Sequence, residues 1–259
     1  MGEENKTRDA IDAVTGLVKA VPIYKDAIQP TAKEIGVGIQ RVVHLALAPI
    51  GGMVWGYEKI EEFLKTSVAK RLEKVPHEQI KTPLPQIAGP AIEALKYAGH
   101  DENLREMFAK LIATAMDEKT AATAHPSFVE IIRQLSSDEA KICRYLKTKE
   151  YVCVINLEEH AKDRHRVVVR NFSNLGHDAY CQFPLMILSY SNNLTRLGII
   201  QFIFDGELAD KEPYEELKKH SVIQNALKEI QDAKHESRFE RGYVITTAFG
   251  RQFAAACID

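Results

Sequence analysis

Pro184-Leu-Met-Ile-Leu-Ser-Tyr-Ser-Asn-Asn-Leu-Thr-Arg-Leu-Gly-Ile-Ile-Gln-Phe-Ile-Phe204 is the stretch on which the fold class turns. Proline lacks an N–H that the first turn of a helix leaves unbonded anyway, so Pro184 can open a helix. Gly198 supplies the residue type that closes one in the left-handed conformation. The β-branched and aromatic run over residues 199–204 then reads as a strand. A helix delivered directly into a strand is the step from third helix to sheet in a winged helix.

The flanking sequence extends this reading. Upstream, Ser136-Ser-Asp-Glu139 has the spacing of a capping box and predicts a helix over 140–147. Val167-Val-Val169 suggests a short strand, and residues 171–176 are rich in turn formers. Downstream, Asp205-Gly206 leads to a helical pattern over 214–233, with Leu217, Ile223, Leu227 and Ile230 apolar. Tyr243-Val-Ile-Thr246 is a second β-prone run, followed by Phe249, Phe253 and Cys257 at every fourth position. This order predicts a C-terminal winged-helix-like α+β domain over 136–259, with a helical insertion in the wing (205–241).

Residues 1–135 read as a helical domain, so the chain as a whole is mainly α. Apolar positions recur every three or four residues over 8–21 until Pro22 stops them, and a second helical run starts near Lys25. Residues 58–72 form a charged amphipathic helix. Pro83, Pro85 and Pro90 predict a break over 81–90, with a helix over 91–97 closed by Gly99. Leu104, Phe108, Leu111, Ile112, Ala115 and Met116 define one face of a helix over 101–116 with Asp101 as its N-cap. Pro126 starts another over 127–135.

The unusual segment is 35–57, a Gly-rich apolar hairpin with Arg41 as its one formal charge. As a helix, residues 42–57 would span about 24 Å, short of the ~30 Å hydrocarbon core. Pro49 and Gly51-Gly52 would break it midway. Length and this break together argue against a single spanning helix. A buried hairpin remains, as does a segment shielded at rest that enters a bilayer or a partner on activation. Gly51, Gly52, Trp55 and Tyr57 are its interaction candidates.

Composition narrows the function classes. Lys plus Arg number 34 against 36 acidic residues in 259, and neither half of the chain has the basic excess that phosphate neutralisation calls for. The four cysteines form no Cys-x-x-Cys pair and read as reduced core residues of a cytosolic protein. The polar, acidic first residues predict no secretory leader, giving a cytoplasmic protein, membrane-associated only on activation.

The search for chemistry is nearly empty. The phosphate-loop, nucleophile-elbow and His-Glu-x-x-His patterns are absent. Gly36 and Gly38 offer two glycines of a dinucleotide fingerprint, but Arg41 stands where the third belongs. Arg170 and His177 resemble the spacing of HEPN ribonucleases, in which both side chains project from one helix; a turn with a surface histidine is the plainer reading. His160 and His165 with Asp163 between them lack a further ligand at suitable spacing, so no metal or cofactor is expected. Cys143 and Cys257 sit on apolar helix faces, and His125 precedes Pro126 at a helix start, where capping is expected. In the Pro184 helix, Arg196 is the one cation, too little for an ordinary DNA-reading helix.

Ala48-Pro-Ile-Gly-Gly-Met-Val-Trp-Gly56, Ile87-Ala-Gly-Pro90, Ala113-Thr-Ala-Met-Asp117, His125-Pro-Ser-Phe-Val-Glu-Ile-Ile132 and Asn193-Leu-Thr-Arg-Leu-Gly198 together resemble the bacterial Abi-alpha family. That family is named for abortive infection and is otherwise a domain of unknown function. The resemblance covers about residues 21–257. It implies a protein linked to phage defence and transfers no catalytic residue. The expectation is a non-enzymatic abortive-infection protein acting through protein or membrane interaction, with a protein partner or self-association. The alternatives are a toxic nuclease built on Arg170 and His177, and a winged-helix DNA-binding regulator that depends on Arg196.

Overall fold

A computed structural model describes residues 54–259. The helices expected over 8–21 and from Lys25, together with most of the apolar hairpin including Gly51 and Gly52, lie outside the described residues. The chain divides into two compact units. One runs to Leu135 and also takes in Ala255–Asp259; the other is Ser136–Ala254.

The first unit is helical. Its α1 (Tyr57–Leu72) buries Ile60, Leu64, Val68 and Leu72, the one-face series that a four-residue repeat dictates. Next, α2 (Pro85–Ala98) begins six residues earlier than the proline pattern suggested and carries Pro90 inside it. Proline disfavours the helical region for its predecessor, through a clash with that residue's N–H and Cβ. Gly89 has no Cβ, so the chain stays helical and Pro85 takes the N1 position instead. Then α3 (Glu102–Met116) follows the sequence pattern closely: the Asp101 carboxylate accepts the Leu104 N–H at 3.1 Å, and Phe108, Leu111, Ile112 and Met116 are fully buried. Each such side chain contributes about 1.5–3 kcal/mol of burial. A short α4 (Ser127–Arg133) adds Phe128 and Ile132 to this core.

Residues 255–259 belong with these helices rather than with the second unit, where the sequence boundary had put them. The Thr114 hydroxyl donates to the Ala256 carbonyl at 3.0 Å, and Arg71 pairs with both Glu106 and Asp259. A hydrophobic repeat cannot show which core a terminal helix joins.

The second unit is α+β. It opens with α5 (Ser137–Lys147), whose capping box is complete: Ser136 Oγ accepts the Glu139 N–H at 3.3 Å, and the Ser136 N–H donates to Glu139 Oε2 at 2.6 Å. A hairpin follows, β1 (Tyr151–Ala161) and β2 (Arg164–Phe172), then a single turn α6 (Leu175–Asp178). A 3-10 turn (Pro184–Met186) runs into α7 (Ile187–Arg196), closed by Gly198 at φ +74° as the sequence required. Then come β3 (Ile200–Ile203), α8 (Glu212–Lys219), α9 (Ser221–Asp232), β4 (Glu236–Thr246) and α10 (Ala248–Cys257).

The four strands form one antiparallel sheet in the order β2-β1-β4-β3. Its core combines Ile155, Leu157 and Phe172 with Tyr214 and Leu217 of α8 and Ile223, Ala226 and Ile230 of α9. Tyr214 is fully buried, and its hydroxyl is satisfied twice, donating to the Gly242 carbonyl and accepting from the Leu208 N–H, both at 3.0 Å. Three expectations change here. The hairpin is much longer than Val167–Val169 implied. The insertion is two helices, broken at His220, whose extended backbone and Nδ1 cap the Val222 N–H. And β4 starts at Glu236, so the insertion ends earlier than residue 241. No helix among the described residues is long and apolar enough to cross a membrane.

Candidate functional site

The segment from Tyr180 to Leu188 combines exposure with fixed geometry. Asp138, in the first turn of α5, is buried and accepts the backbone N–H groups of Gln182 at 2.7 Å and Phe183 at 2.9 Å. The same carboxylate accepts from the Tyr190 hydroxyl at 3.0 Å and from Lys141 Nζ at 3.1 Å. Burial pushes the Asp138 carboxyl up, but these four donors outweigh it and hold the group below the usual carboxylate range. The Asn193 amide adds a second tie between α5 and α7, donating to Glu139 at 2.8 Å.

With the backbone pinned from inside, the apolar side chains are left outside. Tyr180 is 86% exposed, Leu185 64%, Phe183 58%, Met186 51% and Leu188 41%. A cleft of about 500 Å³ opens beside them, lined by His177, Phe183, Pro184, Met186 and His220 among others. Scattered exposed apolar residues are ordinary, but here five fall within nine positions on a hydrogen-bonded scaffold. Residues 180–188 contain no formally charged side chain. Sequence reading missed this surface, because Leu185 and Met186 look like core positions of the Pro184 helix.

The other side of α7 is apolar inward, through Ile187 and Leu194, and its outer face ends in Arg196. The Arg196 guanidinium holds Asn193 Oδ1 at 2.6 Å, so this one cation of the helix is already engaged. Arg170 lies on β2 and His177 on α6, so the two do not project from a common helix. His125 stands one residue before the N-cap position, Pro126, and its Nδ1 accepts the Ser127 N–H at 3.1 Å in a local turn. Burial pushes the Cys143 thiol up to about 12, and Cys257 is buried as well. Neither has the electropositive, accessible setting of a reactive thiolate.

Trp55 is buried in the first unit, edge-on to Phe63 at 5.5 Å between ring centroids, with Lys59 Nζ 4.8 Å from its ring. Tyr57 is half-buried at the start of α1.

At the outer end of the β1–β2 hairpin, His160 and His165 face each other across the ladder, and Asp163 lies in the turn between them. Glu158 joins the two histidines, brought to them by the strand rather than by ligand spacing along the chain. Its carboxyl is held below the usual range mainly by the hydrogen bond with His160. The signal was available in strand periodicity: residues two apart on a strand share a face.

A family described as abortive infection alpha matches residues 56–257. No curated protein matches the chain. Among solved structures, an uncharacterized protein from the hydrocarbon-degrading marine bacterium Alcanivorax borkumensis SK2 is similar at 20% identity, with a TM-score of 0.37; the similarity covers 52% of this chain and 92% of that one.

Proposed function

Because this chain belongs to the abortive infection alpha family, we propose that it serves phage defence without catalysis of its own, by docking another polypeptide on the surface formed by Tyr180, Phe183, Leu185, Met186 and Leu188. One observation carries the reading: an exposed apolar segment whose backbone is fixed by the buried Asp138 carboxylate. A preformed surface loses little conformational entropy on binding, so its apolar area converts efficiently into affinity.

The absence of formal charge over 180–188 favours a protein occupant. Nucleic acid and anionic lipid surfaces are captured through clustered Lys and Arg. The second unit supports a winged-helix-like description. Helices α5, α6 and α7 precede β3, and β1, β4 and β3 are neighbours in that order. On this description β2 extends the sheet, α8 and α9 stand where a wing would be, and α7 occupies the position of a recognition helix turned to protein contact.

The test is phage protection in a susceptible bacterial host, comparing the wild type with Phe183→Ser/Leu185→Asp. Expected is loss of protection with an unchanged melting temperature. Full protection by the folded double variant would overturn the proposal.

A further inference from the structure

We propose that Glu158, His160 and His165 form a binding site for a divalent first-row cation of the Zn²⁺ class, with three protein ligands and a coordination position left open to solvent. Antiparallel pairing sets His160 directly opposite His165, which brings their Cβ atoms to about 4.5–5.5 Å. Glu158 precedes His160 by two residues and so shares its face of β1.

The donor atoms converge accordingly. His160 Nε2 lies 3.0 Å from Glu158 Oε2, and His165 Nε2 lies 3.6 Å from Glu158 Oε1. One ligand atom from each of the three residues falls within 4.8 Å of the others. Tetrahedral Zn²⁺ with bonds near 2.0–2.2 Å sets its donors about 3.3–3.6 Å apart. Each imidazole therefore lies within a few tenths of an ångström of that spacing from one oxygen of the Glu158 carboxylate, and the two rings stand 4.8 Å apart between centroids.

The donor set selects the class of cation. Two imidazoles and one carboxylate suit Zn²⁺, whereas Ca²⁺ and Mg²⁺ call for oxygen ligands. Both histidines offer Nε2, which leaves Nδ1 to carry the proton in the neutral ring. Access is graded: the side chain of His165 is 59% exposed, that of His160 35% and that of Glu158 15%, so a cation enters from the His165 side onto a carboxylate held by the sheet. Glu158 also lines a cleft of about 640 Å³ with Asp205, Glu207, Arg238 and Glu240. In the register of β1 with β4, Arg238 stands opposite Glu158 and Glu236 opposite His160. The guanidinium weakens the site for a bare cation and favours one whose open position carries an anionic donor.

The experiment uses the full chain without an affinity tag, titrated with Co²⁺ and followed by its visible d–d absorption, then back-titrated with Zn²⁺. Expected is a saturable one-equivalent signal that Zn²⁺ displaces. His165→Ala, at an exposed position that leaves the fold intact, and Glu158→Gln should each weaken Co²⁺ by at least the roughly 10–100-fold that loss of an outer-shell partner costs. No one-equivalent binding by the wild type overturns the site, and so does wild-type affinity in folded His165→Ala. Phage protection is not a readout here, so this proposal and the docking surface stand or fall separately.

Discussion

The carboxylate of Asp138 accepts the backbone N–H of Phe183 at 2.9 Å, which ties the first turn of α5 to an outward-facing aromatic 45 positions away. The same carboxylate holds Gln182, Tyr190 and Lys141, so one buried acid sets the geometry of the proposed docking surface. Asparagine at this position keeps one acceptor and points an N–H₂ at backbone donors. Asp138→Asn should cost about 2–3 kcal/mol of second-unit stability, the scale of hydrogen bonds to a charged group plus the groups left unpaired. Chemical denaturation followed by circular dichroism measures it.

Acid should act through the same residue. The folded carboxyl titrates below its unfolded value of about 3.9. Its contribution is therefore complete above pH ~4 and is lost as pH falls through the lower folded value. Melting curves between pH 6 and pH 2 should show a smaller acid-induced drop in Asp138→Asn than in the wild type. Parallel pH profiles for the two proteins would contradict this.

Leu185→Asp places a charge on a side chain that is 64% exposed. Surface changes away from packed features usually stay within about ±0.5 kcal/mol, so the melting temperature should hold while partner binding fails. Differential scanning calorimetry beside a cross-linking assay, with a photoreactive residue in place of Met186, separates the two effects.

Gly99→Ala tests the first unit. A Cβ at Gly99 would lie 2.3 Å from Trp55 Cδ2 and 2.7 Å from the Leu95 carbonyl oxygen. Overpacking of this kind costs about 1–3 kcal/mol. The chain has a single tryptophan, so its emission reports the displaced ring directly. An unchanged spectrum and melting curve would count against the packing described here.

Asn156→Ala tests the irregular pairing of β1 with β2. Asn156 Oδ1 accepts the Asn171 N–H at 2.7 Å, where the backbone of Asn171 takes φ +53°, and its Nδ2 donates to Glu240 at 2.7 Å. Removing both bonds should destabilise the second unit by about 1–3 kcal/mol. Faster amide exchange at Asn171 would localise the loss.

The parts of the fold that sequence made legible are those governed by local rules. Asp101 and Ser136 cap where their side chains can reach N3 amides, and the repeat from Leu104 to Met116 needs no tertiary information. The misread parts depend on neighbours distant in the chain. Residues 151–161 are covered on both sides toward their middle, which blurs strand alternation, and their charged end resembles a loop. His220 interrupts a continuous apolar repeat by turning its own ring onto the Val222 amide. Pro90 looks like a barrier unless the missing Cβ of Gly89 is taken into account. Glu158 is hidden in the sequence because its approach to His160 and His165 is made along and across a ladder, not by a recognisable spacing of ligands. The outward face of Leu185 and Met186 was hidden because it is set by Asp138, more than forty residues upstream.

The hydrogen bond from Thr114 to Ala256 spans 142 positions, and it belongs to a unit whose other described helices are all complete by Leu135. A ribosome adding about 5–20 residues per second needs roughly 6–24 s to traverse the intervening unit. Throughout that interval α3 has emerged without the segment that completes its packing, and the sheet too waits for β4, which joins β1 to β3 and ends at Thr246. The nascent first unit stays open for seconds to chaperones, or to whatever the protein is made to meet.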